Sequence, residues 1–245
     1  MSRTDLTEDG AVLVAALTSP ERGLAAAADR RRPLSALLVV TLLSLLYAAV
    51  ALPRFDYEAA VAAAPRPPDA EEQTPHQQEE ALAQARKLGT IVGWASAAAG
   101  PAIQAVGLGL ALFLAFLLAG TSPGFKSTLA VSAHALLPNA IWKLLLLPAL
   151  IQKAPVNPTG LVKLLPSSLA AMLPASASPI LAAAATSLDL FTLWTVVLLV
   201  LGMARAAGSS RTRTAVVVGL LWLAHIALFK IVPAAALAAR MHGGA

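Results

Sequence analysis

Ionisable side chains lie inside long apolar stretches of this sequence, where each one calls for a partner or a role. They are His134, Lys143, Asp189, His225 and Lys230. An ionised group at the centre of a membrane span costs about 2.5 to 3.5 kcal/mol on insertion scales, so such residues often mark proton relays, ion paths or ligand sites. The chemistry open to this set is proton transfer, ion pairing, binding of a lipid phosphate or weak metal binding.

Two of the candidate residues, His134 and Asn139, lie on either side of Pro138. Proline removes a backbone hydrogen bond and bends a helix, and the freed backbone groups then need partners. A structural role for His134 and Asn139 is therefore favoured over a proton relay. His225 could face His134, but two histidines without a nearby carboxylate make a poor metal site. We predict neither a metal site nor a cofactor.

Asp189 is predicted to cap the N-terminus of a membrane helix, near Trp194 at the start of that helix. The alternative is an ion pair with Lys230, because the two charges are expected at similar depth near the ends of neighbouring spans. Lys143 is expected to extend its ammonium group to the membrane surface, with binding of a lipid phosphate as the alternative.

The sequence carries none of the common catalytic signatures. It has no HExxH, no GxSxG, no phosphate-binding GxxxxGK, and no second acidic residue within the spans to pair with Asp189. It also has no cysteine, so a thiolate nucleophile and a disulfide framework are both unavailable. We therefore expect a protein that is not an enzyme.

The composition predicts that membrane-spanning helices carry these side chains. Hydrophobic residues make up 58% of the chain and charged residues 13%, whereas a soluble domain carries about 25% charge. The apolar residues form uncharged runs of about 20 residues, the length that a helix needs to cross the hydrocarbon core. The predicted fold class is all-α, a polytopic transmembrane helical bundle with about five spans and short interfacial helices.

The predicted organisation is a cytoplasmic N-terminal segment over residues 1–32, a membrane domain over 33–234 and a tail over 235–245. An acidic, proline-rich outer loop is expected over residues 53–90, and its last part, from about Gln77 to Leu88, has the composition of a helix that leads into the next span. Residues 164–188 contain three prolines and are expected to form short re-entrant or interfacial helices. The spans are predicted at residues 33–52, 101–119, 127–152, 188–207 and 214–233, with Pro101 starting the second and Pro138 bending the third.

The basic residues beside the spans predict how the chain is oriented. With the N-terminus inside, the inner turns hold Arg30, Arg31, Arg32, Lys126, Arg205, Arg211 and Arg213. A smaller set flanks the outer ends, and the acidic loop falls outside. The chain is therefore expected in the inner membrane of the cell with its N-terminus in the cytoplasm. This placement explains the formal charge of +5 without nucleic acid.

Two stretches resemble the Yip1-domain family, especially its bacterial members. One is GTSPGFKSTLAVSAHALLPNAIWKLLLLPAL, and the other is SLDLFTLWTVVLLVLGMARAAG followed by a basic turn. With Ser19 and Pro20, the similarity covers most of residues 19–234. It implies a membrane-embedded, non-catalytic protein; eukaryotic relatives act at Golgi and endoplasmic reticulum membranes with small GTPases and in vesicle formation. The alanine-rich composition indicates a bacterial chain, for which a Rab-type role is not expected.

The expected function is that of a membrane scaffold, adaptor or organiser. The partners expected are the lipid bilayer, anionic lipids at the basic inner turns, an unidentified protein and a second copy of the chain, but no nucleic acid. The alternative is a small transporter or channel that uses the Pro138 bend and residues 164–188 to line a path.

Overall fold

The computed structural model describes residues 3–62, 74–153, 155–157, 161–174 and 177–242, and this part of the chain is built from helices without a β-strand. In chain order the α-helices are α1 (Arg3–Thr18), α2 (Pro20–Arg30), α3 (Leu34–Ala51), α4 (Tyr57–Ala62), α5 (Pro75–Leu118), α6 (Phe125–Ala135), α7 (Leu137–Gln152), α8 (Leu161–Leu164), α9 (Pro179–Ala185), α10 (Leu190–Ala206), α11 (Arg211–Ile226) and α12 (Val232–His242). Two 3-10 turns (Leu52–Arg54 and Leu169–Met172) and a π-helical turn (Ala227–Ile231) complete the description. The all-α prediction is confirmed.

Four helical segments of the described chain are long and apolar enough to cross a membrane: Leu34–Arg54, Pro75–Leu118, Phe125–Gln152 and Arg211–Ala236. In each segment, only 11% to 44% of an apolar stretch of 18 residues is buried inside the bundle. The remaining apolar surface faces outward, which is stable in lipid rather than in water. The chain is therefore a membrane protein with several spans. Helix α10 is apolar but has 17 residues, the lower limit for a crossing, and its role as a further span stays a prediction.

Helix α5 begins much earlier than the second predicted span. Thr74 caps it, since its hydroxyl accepts a hydrogen bond from a backbone N–H of the first turn at 3.3 Å, and Pro75 occupies that turn. Pro101 lies inside the helix and is buried, so it does not start a helix as predicted. Membrane helices tolerate an internal proline because neighbouring groups satisfy the freed carbonyl. Residues 75–90 of the predicted loop are thus helical, while residues 63–73 lie outside the described residues.

The third predicted span is divided into α6 and α7, which meet at Leu136. Pro138 falls in the first turn of α7. The N–H groups of a first turn have no partner within the helix, so the missing N–H of proline costs no hydrogen bond there. The break between α6 and α7 therefore lies next to Pro138, where the sequence predicts a bend. Residues on both sides of it are buried, so the break is packed inside the bundle.

Helices α1 and α2 form an antiparallel hairpin that packs on α6 and α10. A Cβ atom on Gly23 would lie 2.2 Å from the backbone nitrogen of Ala16, so only glycine permits this crossing. The Ser127 hydroxyl donates to the Ala28 carbonyl oxygen at 2.6 Å and joins the hairpin to α6. Residues 1–32 were predicted as a segment separate from the membrane domain, whereas the described part of that segment packs against the domain.

The bundle has two ends, which we name after the features found there. The hairpin end carries α1 and α2 with the turns over residues 119–124 and 207–210. The Asp189 end carries the short helices α8 and α9, and an isolated bridge there pairs Ser168 with Asp189. The core between the ends is formed by large buried side chains that include Leu24, Leu112, Phe116, Val131, Leu198 and Met203.

Candidate functional site

A cleft of about 720 Å³ opens between α5, α10 and α11, and we call it the α5–α10–α11 cleft. Its walls are mainly apolar side chains, among them Leu108, Leu199, Trp222 and Phe229. Its volume lies within the range of roughly 300 to 1,000 Å³ that is usual for sites of small molecules. Among the candidates from the sequence, Asn139 and His225 line the cleft, together with Gln104, Thr192 and Thr195.

Most polar groups of the cleft lie at one depth in the bundle. At a rise of 1.5 Å per helical residue, Gln104 lies about 21 Å from the last residue of α5. Asn139 and His225 lie about equally far from the first residues of α6 and α11. All three distances are measured from the hairpin end. These three polar side chains therefore lie in the half of the bundle nearer the Asp189 end.

Thr195 is the most buried polar residue of the cleft, with 8% of its surface exposed. Its hydroxyl group forms no hydrogen bond within the described residues. A buried polar group without a partner costs about 1 to 3 kcal/mol. No signal in the sequence marks Thr195, because the lack of a partner for its hydroxyl is a tertiary property.

Asp189 caps α10. Its carboxylate accepts hydrogen bonds from the backbone N–H groups of Phe191 at 2.9 Å and Thr192 at 3.1 Å, and the Thr192 hydroxyl also donates to it. Lys230 is exposed in the π-helical turn, and no ion pair joins it to Asp189 in the described residues. The carboxylate therefore satisfies the start of a helix, and the alternative ion pair is absent from this part of the chain.

Lys143 is directed into the bundle. Its Nζ donates a hydrogen bond to the Ser44 Oγ on α3 at 2.8 Å, and that hydroxyl donates in turn to the Val40 carbonyl oxygen at 2.7 Å. The expectation that Lys143 extends to the membrane surface is therefore wrong. A hydroxyl on the neighbouring helix gives the ammonium group a hydrogen-bond acceptor that the sequence of α7 alone does not reveal.

His134 is almost fully buried, at 1% exposure, and its Nδ1 lies 2.8 Å from the Ala130 carbonyl oxygen in the same helix. His225 is exposed on α11, and its ring packs on Phe229 with centroids 5.1 Å apart. Trp194 packs against the core. The described residues contain no group of three or more His, Asp or Glu side chains able to hold a metal ion.

Ion pairs hold α2 against α1 and also fasten the hairpin to α10 and α11. They join Arg30 to Glu8 at 2.6 Å and to Asp9 at 3.4 Å, Arg205 to Asp29 at 3.0 Å, and Arg211 to Glu21. Arg213 donates to the Ala119 carbonyl oxygen. These arginines, expected to face lipid or a partner, are therefore engaged within the chain. Arg31 and Lys126 are exposed at the same end.

The Yip1 domain family model matches residues 14–232. The match begins within α1 and ends just after the π-helical turn, so it includes the cleft and all of α2. No curated protein and no solved structure matches the chain.

Proposed function

The chain belongs to the Yip1 domain family, and from this premise we propose that it is a non-catalytic membrane protein that acts as a scaffold or organiser of membrane components. The proposed location is the inner membrane, with the hairpin end in the cytoplasm. The proposed partners are anionic lipids, a protein that binds the hairpin end, or a second copy of the chain.

The observation that carries this proposal is that the ionisable groups inside the bundle are used to hold the bundle together. His134 bonds within α6, Lys143 bonds to α3, and Asp189 caps α10. Each of these groups therefore has a hydrogen-bond partner that satisfies it inside the bundle. Their engagement supports a structural role for the membrane core and leaves recognition to the surface.

The hairpin end provides a surface suited to recognition. The acidic residues of α1 and α2 pair with four nearby arginines, Arg30, Arg32, Arg205 and Arg211, while Arg31 and Lys126 are exposed beside them. Each basic residue close to an anionic membrane surface contributes about 1 kcal/mol of attraction. This pair of charges is the part of the hairpin end through which we propose that the chain contacts anionic lipid or an acidic protein surface.

Affinity purification of the intact protein, within discs of native membrane, tests this proposal. The wild-type discs should be enriched in anionic lipid or contain a protein at fixed stoichiometry. Replacing Arg31 and Lys126 by glutamate should remove that enrichment. The matched control replaces Arg86 and Lys87 by glutamate, because both are exposed and lie on α5 toward the Asp189 end.

Two results would contradict the proposal. One is wild-type discs with bulk lipid composition and no stoichiometric protein. The other is solute or ion flux into reconstituted vesicles that is lost when Lys143 is replaced by methionine, since a scaffold carries no flux.

A further inference from the structure

We propose that the α5–α10–α11 cleft binds one acyl chain of a membrane phospholipid, with the ester carbonyl of that chain accepting a hydrogen bond from Thr195. This inference concerns a different part of the molecule from the scaffold proposal and does not rest on it. Recognition of a partner would involve the hairpin end, whereas this site lies between three helices in the membrane.

The shape and lining of the cleft suit an acyl chain. Its walls are built from aliphatic and aromatic side chains of α5, α10 and α11, and it holds about 720 Å³. Helix α11 belongs to the segment Arg211–Ala236, in which only 11% of the apolar 18-residue stretch is buried within the bundle. Lipid therefore surrounds this side of the cleft. Lipid is therefore the molecule that has direct access to the space.

The residues that line the cleft are not suited to bind the phosphate group of a lipid. Gln104, Asn139, Thr192, Thr195 and His225 supply its polar groups, and no Lys, Arg, Asp or Glu lines the cleft in the described residues. Binding a phosphate without a cation would leave a desolvated charge. An ester carbonyl is uncharged and needs only a donor, which a hydroxyl or a side-chain amide provides.

The depth of the donor points to the same group. Thr195 lies five residues after Leu190, or about 8 Å below the start of α10. The Asp189 carboxylate caps that start and marks the region where charge is tolerated. The ester linkages of a phospholipid lie below its charged headgroup, so a lipid with its headgroup level with Asp189 brings an ester toward Thr195.

Thr195 also provides an independent sign that a ligand is expected. It is more than nine-tenths buried, it lines the cleft, and its hydroxyl has no partner in the described residues. An ester carbonyl in the cleft would remove the cost of that unmade hydrogen bond.

The test uses the full chain in phosphatidylcholine vesicles that contain a small fraction of phosphatidylcholine with a diazirine in one acyl chain. Irradiation and peptide mass spectrometry locate the labelled residues, and native mass spectrometry counts the phosphatidylcholine that the protein retains after extraction. The wild type should retain about one molecule per chain and carry labels on the cleft faces of α5, α10 and α11.

A glycine pair supplies a steric variant and its control. Gly107 lines the cleft and a Cβ atom there meets nothing within 4 Å, so Gly107→Leu fills the cleft without displacing the backbone. Gly100 on the same helix has equally open space and does not line the cleft. Gly107→Leu should reduce cleft labelling to background, and Gly100→Leu should leave it unchanged. Equal labelling in the two variants would overturn the proposal.

A threonine pair tests the hydrogen bond with variants of nearly unchanged volume. Thr195→Val should weaken retention of phosphatidylcholine by about two- to tenfold, the value of one net hydrogen bond. Thr214 is also buried, and its hydroxyl has no hydrogen-bond partner in the described part of the chain, but Thr214 does not line the cleft. Thr214→Val should therefore retain lipid like the wild type. Unchanged retention in Thr195→Val, or crosslinks from the cleft to a second protein copy, would overturn the proposal.

Discussion

The contact between Lys143 and Ser44 is the residue-level feature with the clearest energetic consequence. A charge within a membrane helix needs a partner, and the Ser44 hydroxyl accepts from the ammonium group at 2.8 Å while donating to its own helix. Ser44 itself is almost fully buried, at 1% exposure. Removing the hydroxyl and removing the charge should therefore have different effects.

Ser44→Ala should lower the free energy of unfolding by about 1 to 3 kcal/mol, because it leaves the Lys143 ammonium group without its acceptor. In a Lys143→Met background the same change should cost much less, since no charge then needs the hydroxyl. Unfolding of the purified protein in mixed detergent micelles, followed by circular dichroism, measures both. Equal costs in the two backgrounds would show that the contact contributes nothing.

Asp189→Ala should destabilise the protein by about 0.5 to 2 kcal/mol through loss of the α10 cap. Asp189→Asn should retain much of the stability, because the single amide oxygen of asparagine still accepts from one N–H group of the first turn, although the bonds to the second carboxylate oxygen are lost. The same micelle unfolding experiment compares the two variants. Lys230→Ala serves as the control, since Lys230 is exposed, and a loss equal to that of Asp189→Ala would instead support an ion pair.

Among the helices, the α1–α2 hairpin depends most on the size of single side chains. Gly23 lies directly against the backbone of α1, and Gly202 on α10 lies against Val131 and Leu24. A further small-residue pair on α11 ends in Gly219, where a Cβ atom would meet nothing within 4 Å. Close packing between helices therefore uses Gly202 but not Gly219, although the pairs Gly202 with Ala206 and Ala215 with Gly219 both have the four-residue spacing typical of such contacts.

Gly23→Ala should force α1 away from α2, because the new methyl group would overlap the backbone nitrogen of Ala16. We expect a loss of about 1 to 3 kcal/mol, as in other overpacked sites, and faster proteolysis between the two helices. Gly10→Ala is the matched control on α1, where the added methyl meets nothing within 4 Å and should stabilise the helix by about 0.5 to 1 kcal/mol. Limited proteolysis and thermal unfolding measure both, and a stable Gly23→Ala hairpin would contradict the packing described here.

For the molecule as a whole, the contacts of the hairpin place the N-terminal helices and two distant turns at the same end. Asp29 pairs with Arg205, and Arg213 bonds to the end of α5. The Asp189 end carries the short helices α8 and α9 together with Pro166, Pro174 and Pro179. This arrangement agrees with a chain whose hairpin end and Asp189 end lie on opposite sides of the membrane.

Labelling of single cysteines tests that orientation cleanly, because the chain has no cysteine of its own. Cysteines at the exposed positions Ser122 and Thr212 should react from one side of the membrane, and cysteines at His76 and Lys153 from the other. With the proposed cytoplasmic N-terminus, a membrane-impermeant maleimide added to intact cells should label only the second pair. Reaction of one member from each pair on the same side would contradict the arrangement.

The features that depend on neighbouring residues were predictable from the sequence. Uncharged run length predicted a membrane-spanning, all-helical chain, Pro138 marked the interruption between α6 and α7, and Asp189 marked the start of α10. Each of these follows from local chemistry: hydropathy over one helix, a missing backbone N–H, and a carboxylate beside free N–H groups.

Which distant groups meet depends on how the helices pack. Ser44 and Lys143 are 99 residues apart and Asp29 and Arg205 are 176 apart, so no local pattern predicts either pair. The cleft and the unpartnered hydroxyl of Thr195 likewise exist only where three helices come together. Helix packing brings these surfaces together through close contacts at small residues, and hydropathy along the chain does not encode which helices become neighbours.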